Sequence, residues 1–382
     1  MSIVVEISGI GFPNKGAELM LAEVSHRLRN AFGDEVISVC RPNQSGSESA
    51  GIMAKLGVLP LAELSFKGHE IGGLLNYAPE RLLAPFGVRR RKDVNIVLDA
   101  SGLKFSEDWG LQAIERGEQY LAMKAASGVK VVLLPQAFGP FNSSAAKSSM
   151  KRVLNLADLV YARDHKSYSY LRELSASERI KLCPDLTIGC NCSSFSPDES
   201  VRDAVIIIPN QRMLDKGDVE NRAMYKDFLL ALGRQLVEDG QPLVLLNHEG
   251  KTDRQICDWL HGELGLSSDI LEFSDARELK ATISVAKSVV TSRFHGAVSA
   301  LSEAVPCFAT SWSHKYKMLF MDFEVTECLI DMGSSQEVGR LSGLLKDMGH
   351  LAALRRRLAA SKLEQSEQVE QMWDDVYRIF SV

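Results

Sequence analysis

The sequence predicts an α/β protein with two Rossmann-like parallel-sheet domains that face a cleft. Short β-branched runs alternate with longer amphipathic stretches along most of the chain, which is the pattern of repeated βαβ units. The β-branched runs are almost continuously apolar, as expected for strands that helices cover on both faces. With 382 residues, the chain is long enough for two domains of ordinary size.

The first alternating series predicts a domain over residues 1–190. Its predicted strands are Ile3–Ser8, Val36–Cys40, Asn95–Asp99, Lys130–Leu134, Leu159–Tyr161 and Ile180–Cys183. Amphipathic stretches lie between most of them, at Ala17–Phe32, Trp109–Ala126, Ala145–Leu156 and His165–Glu173. The polar, serine-rich stretch at 192–203 ends this series, and we interpret it as a linker.

A second alternating series predicts another βαβ domain over residues 191–350. Its predicted strands are Ala204–Ile208, Leu243–Leu246, Ile270–Phe273, Ser288–Thr291, Pro306–Thr310 and Glu324–Ile330. Its predicted helices are Arg222–Asp239, Asp253–Leu264, Ala276–Ala286, Ala297–Glu303 and Ser335–Lys346. The remaining residues, 351–382, have a helical pattern, and a tail of this kind can pack back on the first domain.

Composition argues against several classes of protein. The net charge of −5 is not that of a general nucleic-acid binder, which would be basic. The seven cysteines form no CxxC pair and no zinc-finger spacing, so we expect reduced thiols and no metal site. The start of the chain lacks a secretory signal, and no apolar run approaches the ~18 residues of a membrane span. We therefore expect a cytoplasmic protein.

The long connection Gly68–Lys92 suggests a second environment. The apolar residues Leu74, Leu75, Tyr77, Leu82 and Leu83 precede the basic run Arg89–Lys92. Such a surface suits peripheral contact with the anionic inner face of a membrane or with a lipid-linked acceptor. The favoured interpretation is an ordinary surface helix with a solvated run of charges.

The turn Thr291–Ala297 is the strongest candidate for a functional site. It follows an apolar strand and opens a helix, and helix N-termini at the carboxyl ends of strands attract anions. Arg293 offers a planar fork for phosphate or carboxylate, and His295 can donate a hydrogen bond or move a proton. The alternative is helix capping by Ser292 next to an incidental basic residue.

Three further turns carry single polar residues at strand ends. Arg163 follows one strand and either binds a ligand or pairs with an acid, while Asp164 behind it is a candidate N-cap. Gln136 ends another strand in a Pro/Gly turn that turn chemistry alone can explain. Lys315 can reach an anion held by Arg293, or can be a solvated lysine at a helix start.

The first strand-to-helix turn, Gly9–Glu18, has glycines spaced as GxGxxxxG. This spacing fits neither a dinucleotide fingerprint nor a P-loop, so NAD and P-loop nucleotides are rejected. Asn14 and Glu18 point from this turn toward the predicted cleft, where they can hold sugar hydroxyls. Asp99 and Asp185 are acidic candidates at other strand ends, but none forms a DxD pair of the kind that holds a metal–nucleotide complex.

Taken together, these motifs resemble the polysaccharide pyruvyl transferase family. The matching segments run in the family's order over residues 9–320: Asn14–Glu18, Pro135–Pro140, Ala162–Asp164, Pro184-Asp185, Ser292–His295 and Ser311–Lys315. The resemblance implies a two-lobed fold like glycosyltransferase B (GT-B). It also implies phosphoenolpyruvate as donor and a glycan hydroxyl pair as acceptor, on a sugar or a lipid-linked oligosaccharide, in cell-surface polysaccharide biosynthesis.

On this basis we expect the second domain to hold the donor and the first to hold the acceptor. The expected donor-binding residues are Arg163, Arg293, His295, Lys315, Gln136 and Ser292. The expected acceptor-binding residues are Asn14, Glu18 and Asp99. Arg293, His295 and Glu18 are the expected catalytic residues: His295 protonates the methylene carbon or assists phosphate departure, and Glu18 or Asp99 acts as base. No metal or cofactor is expected.

Two other functions stay open at this level. The same scaffold can carry a glycosyltransferase that uses a nucleotide sugar, since Arg293, His295 and Lys315 suit a diphosphate equally well. The chain can also be a non-catalytic component of a polysaccharide assembly complex.

Overall fold

The apolar β-branched runs form the strands of two separate parallel sheets in the computed structural model. The structure describes residues 2–12, 14–42, 47–62, 65–66, 69–70, 77–215, 219–310 and 314–381. The chain divides into two compact units: residues 1–13, 17–189 and 368–382 form the first, and residues 14–16 and 190–367 form the second.

The first unit contains a seven-stranded sheet in the order β3-β2-β1-β6-β7-β8-β9, with every neighbouring pair parallel. Its strands are β1 (Ile3–Ser8), β2 (Val36–Cys40), β3 (Leu59–Pro60), β6 (Ile96–Asp99), β7 (Lys130–Gln136), β8 (Leu159–Ala162) and β9 (Ile180–Leu182). A separate antiparallel pair is formed by β4 (Ser65–Phe66) and β5 (His69–Glu70). The helices are α1 (Lys15–Phe32), α2 (Ser47–Leu56), α3 (Glu80–Leu83), α4 (Leu111–Ala126), α5 (Ser144–Leu156) and α6 (His165–Leu174).

The second unit contains a six-stranded parallel sheet in the order β12-β11-β10-β13-β14-β15. Its strands are β10 (Val205–Ile208), β11 (Leu243–Asn247), β12 (Leu271–Glu272), β13 (Ser288–Thr291), β14 (Cys307–Thr310) and β15 (Leu329–Ile330). Its helices are α7 (Arg212–Asp215), α8 (Val219–Glu238), α9 (Gly250–Leu264), α10 (Ala276–Ser284), α11 (Phe294–Ser302), α12 (His314–Asp322), α13 (Glu337–Lys346) and α14 (Met348–Arg378).

All twelve predicted strand regions contain a strand, with bounds that differ by a few residues at most in eleven of them. The twelfth, Glu324–Ile330, is extended only at Leu329–Ile330, because residues 326–328 form a 3₁₀ helix. The edge strand β3 and helix α2 were not predicted. Pro60 argues against a strand, and β3 tolerates it because it lies at the edge of the sheet.

The domain limits expected from sequence differ from the observed units in two places. Residues 14–16 group with the second unit instead of the first. The C-terminal tail is one helix, α14, whose residues from 368 onward belong to the first unit. Trp373 and Met372 of this stretch lie in the same hydrophobic core as Tyr161 of β8.

Each sheet has one topological switch point, where the strand order reverses. In the first unit it lies between β1 and β6, with Ser8 paired to Asp99 at the carboxyl ends. In the second unit it lies between β10 and β13, with Ile208 paired to Thr291. Ligands of open α/β sheets bind at such points, so the topology directs attention to these two strand ends.

All seven cysteine side chains are buried as thiols. Across the described ranges, no helix combines the length and apolar character needed to cross a bilayer. Of the connection Gly68–Lys92, residues 68 and 71–76 lie outside the described residues, and the rest includes α3 and two 3₁₀ turns.

Candidate functional site

Ser292 anchors the turn that follows β13. Its hydroxyl accepts a hydrogen bond from Thr310 Oγ1 (2.7 Å) and lies 2.9 Å from the Tyr225 hydroxyl. Its carbonyl oxygen accepts from Asn210 Nδ2 (2.7 Å) and from the Tyr316 hydroxyl (2.6 Å). The N-cap of α11 is Arg293, without a side-chain cap, so capping by Ser292 is wrong. Ser292 is instead a buried residue whose hydrogen bonds connect the end of β13 to the surrounding elements. Donor binding by its side chain stays a prediction.

Arg293 is held in place by two carboxylates. Its Nε donates to Oδ2 of Asp253 and its Nη2 donates to Oδ1, each at a distance of 2.6 Å, in a bidentate ion pair. Its Nη1 donates to Glu249. Burial opposes the charged guanidinium, but the hydrogen bonds and charge of Asp253, with the charge of Glu249, raise the pKa of Arg293. Arg293 is therefore a charged side chain with fixed orientation at the N-terminus of α11.

The segment 14–16 lies against this turn. Asn14 Nδ2 donates to Glu249 Oε2 (3.2 Å), and Lys15 Nζ donates to the carbonyl oxygen of Ser274 (3.0 Å). At Gly16, a Cβ atom would lie 2.1 Å from Nδ1 and 2.2 Å from Cγ of His295. Only glycine permits this approach. The structure thus places Asn14 beside the Arg293 cluster.

Aromatic rings support His295 and bring Lys315 to the same place. The Phe294 ring meets the rings of His295 and Tyr316 edge to face, with centroids 5.4 and 5.6 Å apart. Lys315 Nζ lies 4.9 Å from the centroid of Phe294, within the range of a cation–π contact. Lys315 therefore lies near the N-terminal end of α11, as the sequence suggested. Residues 311–313 of that motif lie outside the described residues.

His248 is a member of this cluster that the sequence reasoning missed. It directly follows β11, and its side chain is buried at 4% exposure. Burial, followed by the charges of Arg293, His295 and Lys15, holds its pKa well below the usual value, so the imidazole is neutral. A signal was present in the sequence: the polar run Asn247–Glu249 follows the predicted strand Leu243–Leu246 and precedes a predicted helix, as the turn Thr291–Ala297 does.

The strand ends of the first unit carry a different cluster, centred on Asp99. Its carboxylate accepts hydrogen bonds from Lys104 Nζ (2.8 Å), Ser101 N (3.1 Å), Ser8 Oγ (3.2 Å) and Gln136 Nε2 (3.4 Å). Burial alone would raise the pKa of Asp99, yet the Lys104 ammonium and the Ser101 hydrogen bonds lower it. A carboxylate stabilised in this way is a weak base, which disfavours Asp99 as the general base.

The remaining predicted residues also lie in the first unit. Arg163 Nη1 donates to Asp185 Oδ2 (3.0 Å) in a buried ion pair, so the structural alternative for Arg163 is observed. Asp164 is the predicted N-cap and accepts from Ser167 N (2.8 Å). Glu18 is buried in the first turns of α1. Binding roles for Arg163, Gln136 and Glu18 stay predictions.

Within the second unit, therefore, the structure brings together Asn14, Lys15, His248, Glu249, Asp253, Arg293, His295 and Lys315. The set combines several cationic side chains with the amino end of a nine-residue helix. Such an arrangement suits an oxyanion with two or more negative charges, because the helix end supplies N–H donors and the side chains supply charge. His295 and His248 add two imidazole rings, whose nitrogens can donate or accept hydrogen bonds.

Comparison with known proteins identifies both a family and a fold. The family model described as polysaccharide pyruvyl transferase matches residues 14–314 of the chain. No curated protein matches it.

The solved structures that resemble the chain include nucleotide-sugar enzymes. One is that of S. aureus MnaA with UDP, at 14% identity and a TM-score of 0.61, covering 100% of this chain and 97% of that one. Another is UDP-GlcNAc 2-epimerase from Neisseria meningitidis bound to UDP-GlcNAc, at 9% identity and a TM-score of 0.62, covering 99% and 100%. A third is Anabaena HepE in complex with UDP-glucose, at 12% identity and a TM-score of 0.58, covering 99% and 100%. At such identities the likeness shows the fold alone, which is GT-B-like.

Proposed function

Because the chain belongs to the polysaccharide pyruvyl transferase family, and is thus a transferase, we propose that it moves a pyruvyl group from phosphoenolpyruvate to two hydroxyls of a glycan as a ketal. We place this reaction in cell-surface polysaccharide biosynthesis. The observation that carries the proposal is the cationic cluster at the N-terminus of α11. Phosphoenolpyruvate carries a phosphate and a carboxylate, and Arg293, Lys15 and Lys315 supply positive charge for them.

The proposed chemistry uses His295 as the proton donor. Protonation of the methylene carbon creates a methyl group and an oxocarbenium-like carbon, which a first hydroxyl of the acceptor attacks. A second hydroxyl then replaces the phosphate at the same carbon and closes the ketal. Of the two hydroxyl protons, one balances the proton placed on the methyl group and the other leaves with inorganic phosphate. Lysine and arginine neutralise the departing phosphate, so the proposal invokes no metal or cofactor.

Acceptor binding by Asn14, Glu18 and Asp99 remains part of the proposal, with one refinement. Asp99 accepts hydrogen bonds from the Lys104 ammonium and from Ser8, Ser101 and Gln136, and is suited to organising the β1 and β6 strand ends. Glu18 is therefore the better candidate for the base that takes the proton of an acceptor hydroxyl.

A thermal-shift titration with phosphoenolpyruvate tests the donor. At about 100 times its Kd, a ligand that binds only the folded protein adds roughly 2.7 kcal/mol of stability. We expect a shift in the wild type that Lys315→Ala loses and Lys317→Ala keeps. Lys317 is a matched control, because it is an exposed lysine on the same helix. A shift unchanged in Lys315→Ala would contradict the assignment of this residue.

Arg293→Ala is a poor first variant, although Arg293 is the more obvious target. Removing the guanidinium leaves the fully buried Asp253 without its bidentate partner. An unpaired buried carboxylate typically costs about 3–5 kcal/mol. Loss of ligand binding in this variant would therefore not distinguish a binding role from partial unfolding.

A nucleotide-sugar glycosyltransferase is the second candidate function. It is favoured by the solved structures of similar fold that hold UDP or UDP-glucose. The same titration with UDP-glucose separates the two candidates. Stabilisation by UDP-glucose but not by phosphoenolpyruvate would overturn pyruvyl transfer in favour of this alternative.

We also propose that the enzyme works in the cytoplasm with peripheral contact at the inner face of the membrane, where a lipid-linked acceptor would reside. Tyr77, Leu82 and Phe86 are 86%, 58% and 78% exposed, and the exposed Arg81 and Lys92 lie in the same stretch. Apolar side chains beside basic ones suit an anionic bilayer.

Co-sedimentation with vesicles that contain phosphatidylglycerol tests this contact. We expect Leu82→Ser with Phe86→Ser to lower the bound fraction several-fold. Met123→Ser, which changes another exposed apolar residue of the first unit, is expected to bind like the wild type. Equal binding by all three proteins, or equal binding to uncharged vesicles, would refute the membrane contact.

A further inference from the structure

His248 has no role in the proposed pyruvyl transfer, in which His295 is the proton donor. The Nδ1 atom of His248 is buried and has no hydrogen-bond partner among the described residues. Buried polar atoms in native proteins are almost always hydrogen-bonded, because leaving one unsatisfied is costly. An imidazole nitrogen at the carboxyl end of β11 that has no partner among the described residues is a candidate contact for a bound ligand.

The charges around His248 indicate what that partner is. Lys15 of α1 and Arg293 and His295 of the β13–α11 turn all disfavour its protonated form. The acidic groups near it in the chain are Glu249 and Asp253 of the α9 start, and Arg293 engages both. The neighbouring cations disfavour protonation of the imidazole. A bound anion would offset their positive charge and so favour the protonated imidazole.

We propose that His248 binds the phosphate oxyanion of the donor and takes up a proton as the donor binds. The inference rests on the proposed function only in that the donor carries a phosphate group and occupies the cluster around Arg293. Upon binding, the imidazole gains a proton from solvent, and the resulting imidazolium donates a charge-assisted hydrogen bond to a phosphate oxygen. His248 is then a donor-binding residue and a sensor of ligand charge.

The closing experiment measures proton uptake. Phosphoenolpyruvate is titrated calorimetrically into the full-length protein at pH 7.5 in two buffers of different ionisation enthalpy, neither containing phosphate. His248→Asn is compared with the wild type; an asparagine amide can still hydrogen-bond at the position of Nδ1 but takes up no proton. His350→Gln is the control. It removes another histidine of the second unit with a buried unsatisfied nitrogen, whose charged neighbour is Glu327.

We expect the wild type to take up as much as about one proton more per bound ligand than His248→Asn, because the proton contribution of the ligand itself cancels in the difference. Loss of the charged hydrogen bond is expected to weaken binding by roughly ten- to a hundred-fold. His350→Gln is expected to match the wild type in both quantities. His248→Gln is measured in parallel, in case the His248→Asn protein does not fold.

The outcomes separate this inference from the proposed function. Phosphoenolpyruvate binding with equal proton uptake in wild type and both His248 variants overturns the inference and leaves pyruvyl transfer in place. If only UDP-glucose binds, and His248→Asn loses its proton uptake, the inference holds and phosphoenolpyruvate is refuted as donor. If neither compound binds the wild type, both are overturned.

Discussion

At Gly16 the lack of a side chain determines where the ring of His295 can lie. A Cβ atom at this position would overlap both Nδ1 and Cγ of the ring, and Cγ lies too close to the main chain to move aside easily. Gly16 lies in the first turn of α1, where alanine favours the helix, so the effect of a substitution is not a loss of helix stability. Its cost falls on the geometry of the proposed proton donor.

We therefore predict that Gly16→Ala lowers pyruvyl transfer by roughly a hundred-fold, the order expected for a displacement of about 1 Å in a catalytic group. The melting temperature should change little. Gly11→Ala is the matched control, because a Cβ atom there meets no atom within 4 Å. The measurement is turnover with phosphoenolpyruvate in both variants. Equal activity of Gly16→Ala and Gly11→Ala would mean that the ring position does not matter.

At the scale of the element, α14 shows how one helix serves two cores. Residues 348–367 group with the second unit and residues from 368 with the first. In the first unit, Trp373, Met372, Val369 and Val376 are buried with residues of the central strands. The first unit is therefore not continuous in sequence.

We predict that Trp373→Ala destabilises the first unit by about 3–5 kcal/mol, the usual cost of removing a buried tryptophan side chain. Leu363→Ala on the same helix should change stability by no more than about 0.5 kcal/mol, because Leu363 is 65% exposed. Urea unfolding followed by circular dichroism measures both. Trp373→Phe should retain most of the stability, since the indole nitrogen has no hydrogen-bond partner among the described residues. Equal losses in the two alanine variants would contradict this role of the tail.

At the scale of the whole molecule, the two units respond to acid through different groups. In the second unit, the pKa of His248 lies well below its usual value because the site is buried and close to positive charges. In the first unit, burial opposes ionisation of Glu6 and Asp99, but Lys124 and Lys104 respectively lower the pKa of each carboxylate. Because of these lowered pKa values, the folded protein binds protons more weakly than the unfolded chain does.

Because these pKa values are lower in the folded protein than in the unfolded chain, stability falls as the pH falls. Below about pH 6.5 the unfolded chain protonates His248 while the folded protein does not, so stability falls by up to roughly 1.4 kcal/mol per pH unit. The contribution of Glu6 and Asp99 is present above about pH 4 and is lost as pH falls through their lowered pKa values. We predict two stages of acid destabilisation, measured as urea midpoints in anion-poor buffers. His248→Gln should remove the first stage and His350→Gln should not; an unchanged first stage in His248→Gln would contradict the assignment.

Much of the architecture was predictable because its causes are local. Strands such as β1 and β13 are apolar runs whose burial on both faces is encoded in consecutive residues. The N-cap is likewise local, because the Asp164 side chain accepts a hydrogen bond from the backbone amide of Ser167, three residues away. The family could be inferred as well, because short motifs such as Ser292–His295 retain their order along the chain.

The environment of the site was decided by tertiary structure alone. Arg293 meets Asp253 and Glu249 from forty or more positions away. His248 enters the cluster from the end of β11, which β10 separates from β13 in the sheet. Gly16 meets His295 from 279 positions away in sequence. No local pattern encodes these contacts, because the order of strands in a sheet, not their order in sequence, determines which turns converge. The local sequence determines which residues follow each strand. The sheet topology determines which of these residues lie close enough to interact through their charges.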